Sequence, residues 1–383
     1  MFEERVTKDT LKVTDLEILS KLPDILTFDD GSPVATKEDF EKRRGELFKT
    51  AVEMQYGTLP PAPEFVKVDV LFPGTYGKAW VYRITTGTKE RPVSFRMKLM
   101  LPPKDKIRNE KIPVVVDGDL CFNYAMNREY LDPVLDAGFA WALFDRTELV
   151  PDYKFAQRSD GPLYNTYPDK TFGALAAWAW GYGRVVDALE IIGLTDMSAI
   201  AFTGHSRGGK TALLAGVMDQ RAMIVNANES GAGGSGCYRV HTKARYLGGE
   251  EKRSEELCDL VKNFPHWFGP EMNDYTTREG ELPFDEHFLK ALVAPRVFFT
   301  SEASGDVWAN APGTYMTTMA AKPVYELLGA PENLLWYWRH GPHFHEVIDV
   351  KMLVNVMNHE LYGIPLDERM FDVPFDPSVL ENL

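Results

Sequence analysis

A chain of 383 residues, 44% apolar and 26% charged, has the make-up of a folded water-soluble protein, which excludes a fibrous or disordered architecture. Its formal net charge of -14 at pH 7 is offset by no basic run, so the surface repels a phosphate backbone at long range and nucleic acid is excluded as a partner. No stretch approaches the roughly 18 uninterrupted apolar residues of a membrane span. The start MFEERVTKDTLKV is charged where an export leader needs an apolar core, so the expected compartment is the cytoplasm, or the cell exterior for a chain that has shed a leader. Cys121, Cys237 and Cys258 form no metal-binding spacing, and an odd number gives no disulfide framework. No cofactor and no metal are expected, and the sequence is silent on oligomeric state.

In chain order, FRMKLMLPP (95–103), IPVVVDGD (112–119) and FAWALFDR (139–146) are short β-rich runs punctuated by Pro, Gly and Asp, and they predict strands. TFGALAAWAWGYGRVVDALEIIG (171–193) spaces its apolar residues at helical intervals. AIAFTGH (199–205) returns to a strand, TALLAGVMD to a helix, and MIVNANES (223–230) and APRVFFTSEA (294–303) to strands. PVYELLG predicts a helix, ENLLWYWRHG (332–341) a strand, and a last helix follows around 347–361. Buried strands without strict alternation, separated by helices, call for a mostly parallel sheet covered on both faces, a three-layer α/β/α sandwich. No repeat or low-complexity linker interrupts the chain. Residues 1–383 therefore read as a single domain, with an N-terminal extension over about 1–90 and an insertion near a site over about 231–290.

Gly204-His205-Ser206-Arg207-Gly208 fits the G-x-S-x-G nucleophile elbow, with the strand before it and the helix after it that the motif demands. A serine needs a base and an acid, which in such sheets follow it in the order Ser, Asp or Glu, His. Seven histidines follow Ser206: His241, His266, His287, His340, His343, His345 and His359. Only HGPHFH (340–345) lies just beyond a late strand, so one of its three supplies the base; a zinc site built from the same imidazoles is the competing reading. Glu229 after MIVNAN and Asp306 in SEASGDVWAN both sit at strand C-terminal ends, where open α/β sheets place their ligands. One of them orients the imidazole and the other supports it.

GHSRGGKTALLAG resembles the serine elbow of the glucuronoyl esterases, the fifteenth family of carbohydrate esterases, which have the α/β-hydrolase fold. NESGAGGSGCYR (228–239) resembles the segment that follows there, as do LPDILTFDDGSPV, YGTLPP, GALAAWAWG, FPHWF, LPFDEHFLKALVAPR and SGDVWANAPGT elsewhere in the chain. The resemblance implies that Ser206 is the nucleophile, that the side chain of Arg207 joins the oxyanion hole, that Lys210 holds a sugar hydroxyl, and that Glu229 is the triad acid. It makes His343 the base through the ending Arg339-His340-Gly341-Pro342-His343, with His345 as rival, and leaves Asp306 a second acid. Trp308 would line the sugar site, and Trp178, Trp180 and Trp267 offer further faces for stacking. Fungal members carry a disulfide between the residue before the serine and the one after the histidine. Here those places hold His205 and Phe344, so another contact must hold the histidine loop.

A helix N-terminus carries about half a positive charge, so Arg207 and Lys210 are each disfavoured there by roughly 0.3–1 kcal/mol if exposed. Something anionic must offset them, either a substrate with a developing oxyanion or structural carboxylates. The reading is a serine carboxylester hydrolase that works through an acyl-enzyme on small-molecule or oligosaccharide esters of glucuronic acid, of the 4-O-methyl-glucuronoyl type. A sugar acetyl esterase is the rival within the class, and a non-catalytic carbohydrate-binding relative the rival outside it.

Overall fold

The computed structural model describes residues 11–373 and 375. Twelve strands form among these: β1 (Leu11–Ile18), β2 (Phe65–Phe72), β3 (Ala79–Gly87), β4 (Pro92–Met100), β5 (Ile112–Asp117), β6 (Ala140–Phe144), β7 (Thr195–His205), β8 (Ala222–Asn228), β9 (Val240–Tyr246), β10 (Lys252–Arg253), β11 (Val297–Ala303) and β12 (Leu334–Arg339). Nine of them make one sheet in the order β12-β11-β8-β7-β5-β6-β4-β3-β2. β12 to β6 in that order run parallel, and β4, β3 and β2 close the far edge antiparallel.

The parallel strands are buried on both faces, and alternate residues point into two separate cores. Val114, Val116, Ile200, Phe202 and Phe298 join one core with the helices Ala174–Ile192, Arg207–Met218 and His287–Val293. Val115, Ala201, Val297 and Phe299 join the other with the helices Arg128–Asp136 and Val347–Tyr362. This is the expected three-layer sandwich. Each fully buried Phe, Ile or Val side chain contributes about 1.5–3 kcal/mol over exposure, so the continuous apolar runs hold the layers together.

The sheet reaches further into the chain than the sequence pattern suggested. β2 and β3 lie within the segment read as an extension, and they were not expected because edge strands with one wet face mix charge into the run, as in FVKVDVLF, whose Phe72 is 67% exposed. The strand expected over 95–103 runs instead over Pro92–Met100, since Pro102 and Pro103 have no N–H to give to a ladder. In the 231–290 stretch, β9 pairs antiparallel with β1, Leu11 opposite Tyr246 and Ile18 opposite Val240, and β10 completes a small second sheet. The insertion is therefore tied to the start of the chain. No helix of the described residues is long and apolar enough to cross a membrane, and Cys121, Cys237 and Cys258 are all free thiols.

Candidate active site

Four consecutive strands of the sheet each carry one chemical group past their C-terminal ends: Ser206 after β7, Glu229 after β8, Asp306 after β11 and His343 after β12. Ser206 has φ 56° and ψ -121°, a left-handed backbone that costs a non-glycine residue about 1–3 kcal/mol and holds its hydroxyl above the sheet. The turn closes because its neighbours lack side chains: a Cβ on Gly204 would stand 2.3 Å from Gly208 O, and one on Gly208 would stand 2.2 Å from Asp119 Oδ2. Ser206 N donates to Asn228 O at 2.8 Å and Lys210 N to Ser206 O at 3.0 Å, which joins strand to helix through the strained residue. Glu229 repeats the device on the next strand, with φ 43°.

His343 Nε2 lies 2.9 Å from Ser206 Oγ, and its Nδ1 lies 2.5 Å from Asp306 Oδ2. Glu229 Oε2 is 3.3 Å from the same Nδ1. Two carboxylates thus face one imidazole nitrogen, but the short hydrogen bond goes to Asp306, whereas the resemblance had named Glu229. Burial works against the charged ring, yet the hydrogen bonds to Asp306 and Glu229 outweigh it and push His343 up to about 10. The proton on Nδ1 therefore belongs to the three groups together.

Glu229 has other duties. Its Oε1 pairs with an Arg339 terminal nitrogen, and its Oε2 accepts Phe344 N at 3.0 Å. Burial pushes its carboxyl up, while His343 and Arg339 draw it back. The loop that lacks a disulfide is held by these bonds and by His205, whose ring lies 4.6 Å from that of His343, centroid to centroid.

The rival histidines have different surroundings. His345 is buried, and Asn228 Nδ2 donates to its Nε2 at 3.1 Å. Its Nδ1 therefore carries the proton, given to Tyr130 Oη at 3.1 Å, whose own hydroxyl donates to Asp117 Oδ2 at 3.0 Å. Burial pushes His345 down to about 4, so it is a neutral link in a buried chain. His340 stands beside Tyr246 Oη at 3.4 Å, away from the serine.

Both cations at the elbow have carboxylate partners. Arg207 donates to Asp152 Oδ1 at 3.2 Å, and its guanidinium lies 4.8 Å from the rings of both Phe264 and Trp267. Arg146 continues the chain, giving 3.0 Å to Asp152 Oδ2 and pairing with Asp119, which accepts His205 N at 2.9 Å. Arg207 thus keeps most of its donors free beside Ser206 while its orientation is fixed by ring faces and one carboxylate. Lys210 is 3% exposed and gives all three protons to Ser230 O, Ala232 O and Glu255 Oε2, the last at 2.8 Å. A sugar hydroxyl would have to displace one of those partners or bind through Glu255. Glu255 Oε1 also accepts Trp308 Nε1 at 3.0 Å.

Among the tryptophans, Trp308 is 42% exposed and presents a ring that Arg253 approaches to 5.5 Å. Trp267 was expected beside the sugar, but it is buried and stacked on Phe264, with the Arg207 guanidinium 4.8 Å from both rings. Trp178 and Trp180 are buried too, their N–H groups given to Val150 O and Pro61 O at 2.7 and 2.8 Å, so neither stacks on a ligand. Asp152 and Glu255 went unnoticed in the sequence because they lie 55 and 45 residues from their cations, in irregular loops. Asp119 and Arg146 had a signal: charges placed directly after the buried runs VVVDGD and FAWALFDR.

Two groups among the described residues bring three possible ligand atoms within 4.8 Å of one another: those of His205, Glu229 and His343, and those of the more open Glu256, Cys258 and Asp259. In the first, Glu229 is already paired with the Arg339 guanidinium, which repels a cation, and His343 is held between Asp306 and Ser206.

A family profile described as "Glucuronyl esterase, fungi" matches residues 84–329. The 4-O-methyl-glucuronoyl methylesterase of Schizophyllum commune is 31% identical over 318 residues, 82% of this chain and 75% of that protein. The chain belongs to the glucuronoyl esterase family. A second 4-O-methyl-glucuronoyl methylesterase, from Podospora anserina, is 31% identical over 82% of this chain and 62% of its own length. A solved carbohydrate esterase family 15 glucuronoyl esterase from Caldicellulosiruptor kristjansonii superposes with a TM-score of 0.81 at 28% identity, covering 98% of this chain and 96% of that one. The glucuronoyl esterases are carboxylic ester hydrolases of the α/β-hydrolase fold, and the parallel sheet described above is that fold. The family match spans Ser206, Glu229 and Asp306 and stops before His343.

Proposed function

We propose that this chain is a serine esterase that cleaves esters of 4-O-methyl-glucuronic acid type through an acyl-enzyme. The observation that carries the reading is the line Ser206 Oγ, His343, Asp306, with its two contacts of 2.9 and 2.5 Å on opposite nitrogens of one ring. His343 Nε2 takes the serine proton as Oγ attacks the ester carbonyl. Asp306 keeps the Nδ1 proton in place and stabilises the imidazolium that forms. The oxyanion develops at the N-terminus of the helix Arg207–Met218, where the Arg207 N–H and its guanidinium are at hand. His343 then returns the proton to the departing alcohol, and water, activated the same way, releases the uronic acid. Trp308 and the Glu255 carboxylate form the sugar-facing wall, one offering a ring face and the other an acceptor for hydroxyls.

Which side of the ester carries the sugar is tested by rate. The proposal predicts that the methyl ester of 4-O-methyl-glucuronic acid gives the higher kcat/KM, and an acetylated xylose the lower. A higher value for the acetate would make the sugar the leaving group and assign the chain to sugar deacetylation.

A further inference from the structure

We infer that Arg339 is a positioning residue for the esterase reaction, because its one guanidinium both folds the histidine loop and pairs with the Glu229 carboxyl group beside His343. This rests on His343 being the base. Arg339 is 3% exposed, and every one of its five N–H donors has a partner. Nε gives to the Asp349 carboxylate at 2.9 and 3.0 Å. One terminal nitrogen gives to His340 O at 3.2 Å and Pro342 O at 3.4 Å, and the other to Glu229 Oε1 and Phe344 O. Three of these acceptors are backbone carbonyls of the loop that carries His343, so the loop is wrapped around the guanidinium from both sides. Gly341, at φ 128°, makes the turn possible, and a Cβ there would stand 2.7 Å from the guanidinium.

The electrostatic role is separate from the wrapping. Burial, with the Asp306 and Asp349 carboxylates nearby, pushes Glu229 well up from the ordinary carboxylate range. Arg339 and His343 are the charges that oppose this. The Arg339 charge opposes protonation of Glu229 across their ion pair; without it, burial and the neighbouring carboxylates push Glu229 further up. The imidazole then loses a proton-holding neighbour, and the acid limb of the pH–rate profile moves to lower pH.

Three variants separate the roles. Arg339→Lys keeps the charge but cannot supply five donors, so kcat should fall by about 10²-fold through misplacement of His343 while the acid limb stays where it is. Arg339→Met removes the charge, so kcat should fall and the acid limb should move down by about one unit. Glu229→Gln should move the limb the same way, and Arg339→Met with Glu229→Gln should move it no further than either alone. An unmoved limb in Arg339→Met, or shifts that add in the double variant, would overturn the electrostatic role. Should Arg339→Met fail to fold, Arg339→Lys decides: unchanged turnover would overturn the positioning role, since one ammonium would then suffice. Wild-type protein that hydrolyses no glucuronate ester would instead sink the proposed function itself, before any variant is compared.

Discussion

His343 and His345 stand two residues apart in one loop, and the protein treats them in opposite ways. His343 is 38% exposed at its side chain, meets two carboxylates and is pushed up to about 10. His345 is 5% exposed, meets a neutral amide and a phenol and is pushed down to about 4. The loop leaves β12 at the rim of the sheet, so one ring turns out over the strand ends towards Ser206 and the next turns in under them. A histidine becomes a base or a structural link according to what surrounds it, and two positions are enough to change that.

The comparison can be broken at its strongest point first. His343→Ala should cost at least about 10⁴-fold in kcat, as should Ser206→Ala, because nucleophile and base act as a unit. Asp306→Asn should come next, with a loss approaching 10⁴-fold, since an amide there favours the wrong tautomer. Glu229→Gln should lose less, because the short bond to Nδ1 is not its own. Steady-state kinetics on one soluble ester ranks all four, and a ranking with Glu229 above Asp306 would move the acid to β8. Arg207→Ala should lower kcat by about 10²–10³-fold, as loss of one oxyanion donor does.

His345→Ala belongs to the other side of the comparison. It leaves Asn228 Nδ2 and Tyr130 without their buried partner, which should cost about 2–4 kcal/mol in urea unfolding and leave the residual folded protein active. The pH dependence of stability has opposite signs at the two rings. The folded value of His345 is depressed from 6.5 to about 4, so the unfolded chain binds the proton first and stability falls as pH drops through that window, by up to about 3 kcal/mol. The folded value of His343 is raised from 6.5 to about 10, so its stabilisation is complete below 6.5 and is lost as pH rises towards 10. Replacing His345 should flatten the acid side of the stability curve, and replacing His343 the alkaline side.

The parallel strands were legible because burial on both faces writes them as continuous apolar runs, as in IPVVVD and AIAFTG. β1, β2, β3 and β9 were not, because sequences such as VHTKARY carry charge on the wet face of an antiparallel strand. Ser206 was legible through glycines that the turn demands. The choice between His343 and His345 was not legible in spacing, since both follow the same strand and only the path of the loop separates them. Nor were the partners of the cations: Asp152 and Glu255 meet Arg207 and Lys210 only after distant loops come together. Trp178 and Trp267 looked like sugar platforms because an aromatic side chain has the same composition in a core as on a binding face; burial alone distinguishes them.

The central claim, that His343 activates Ser206, is tested most directly by labelling with a fluorophosphonate and locating the adduct by mass spectrometry. The account predicts one adduct on Ser206 in the native protein, formed faster as pH rises towards the value of about 10 at which His343 gives up its proton, none in Ser206→Ala, and labelling slowed by orders of magnitude in His343→Ala but rapid in folded His345→Ala. Rapid labelling of Ser206 in His343→Ala, or none in the native protein, would contradict it.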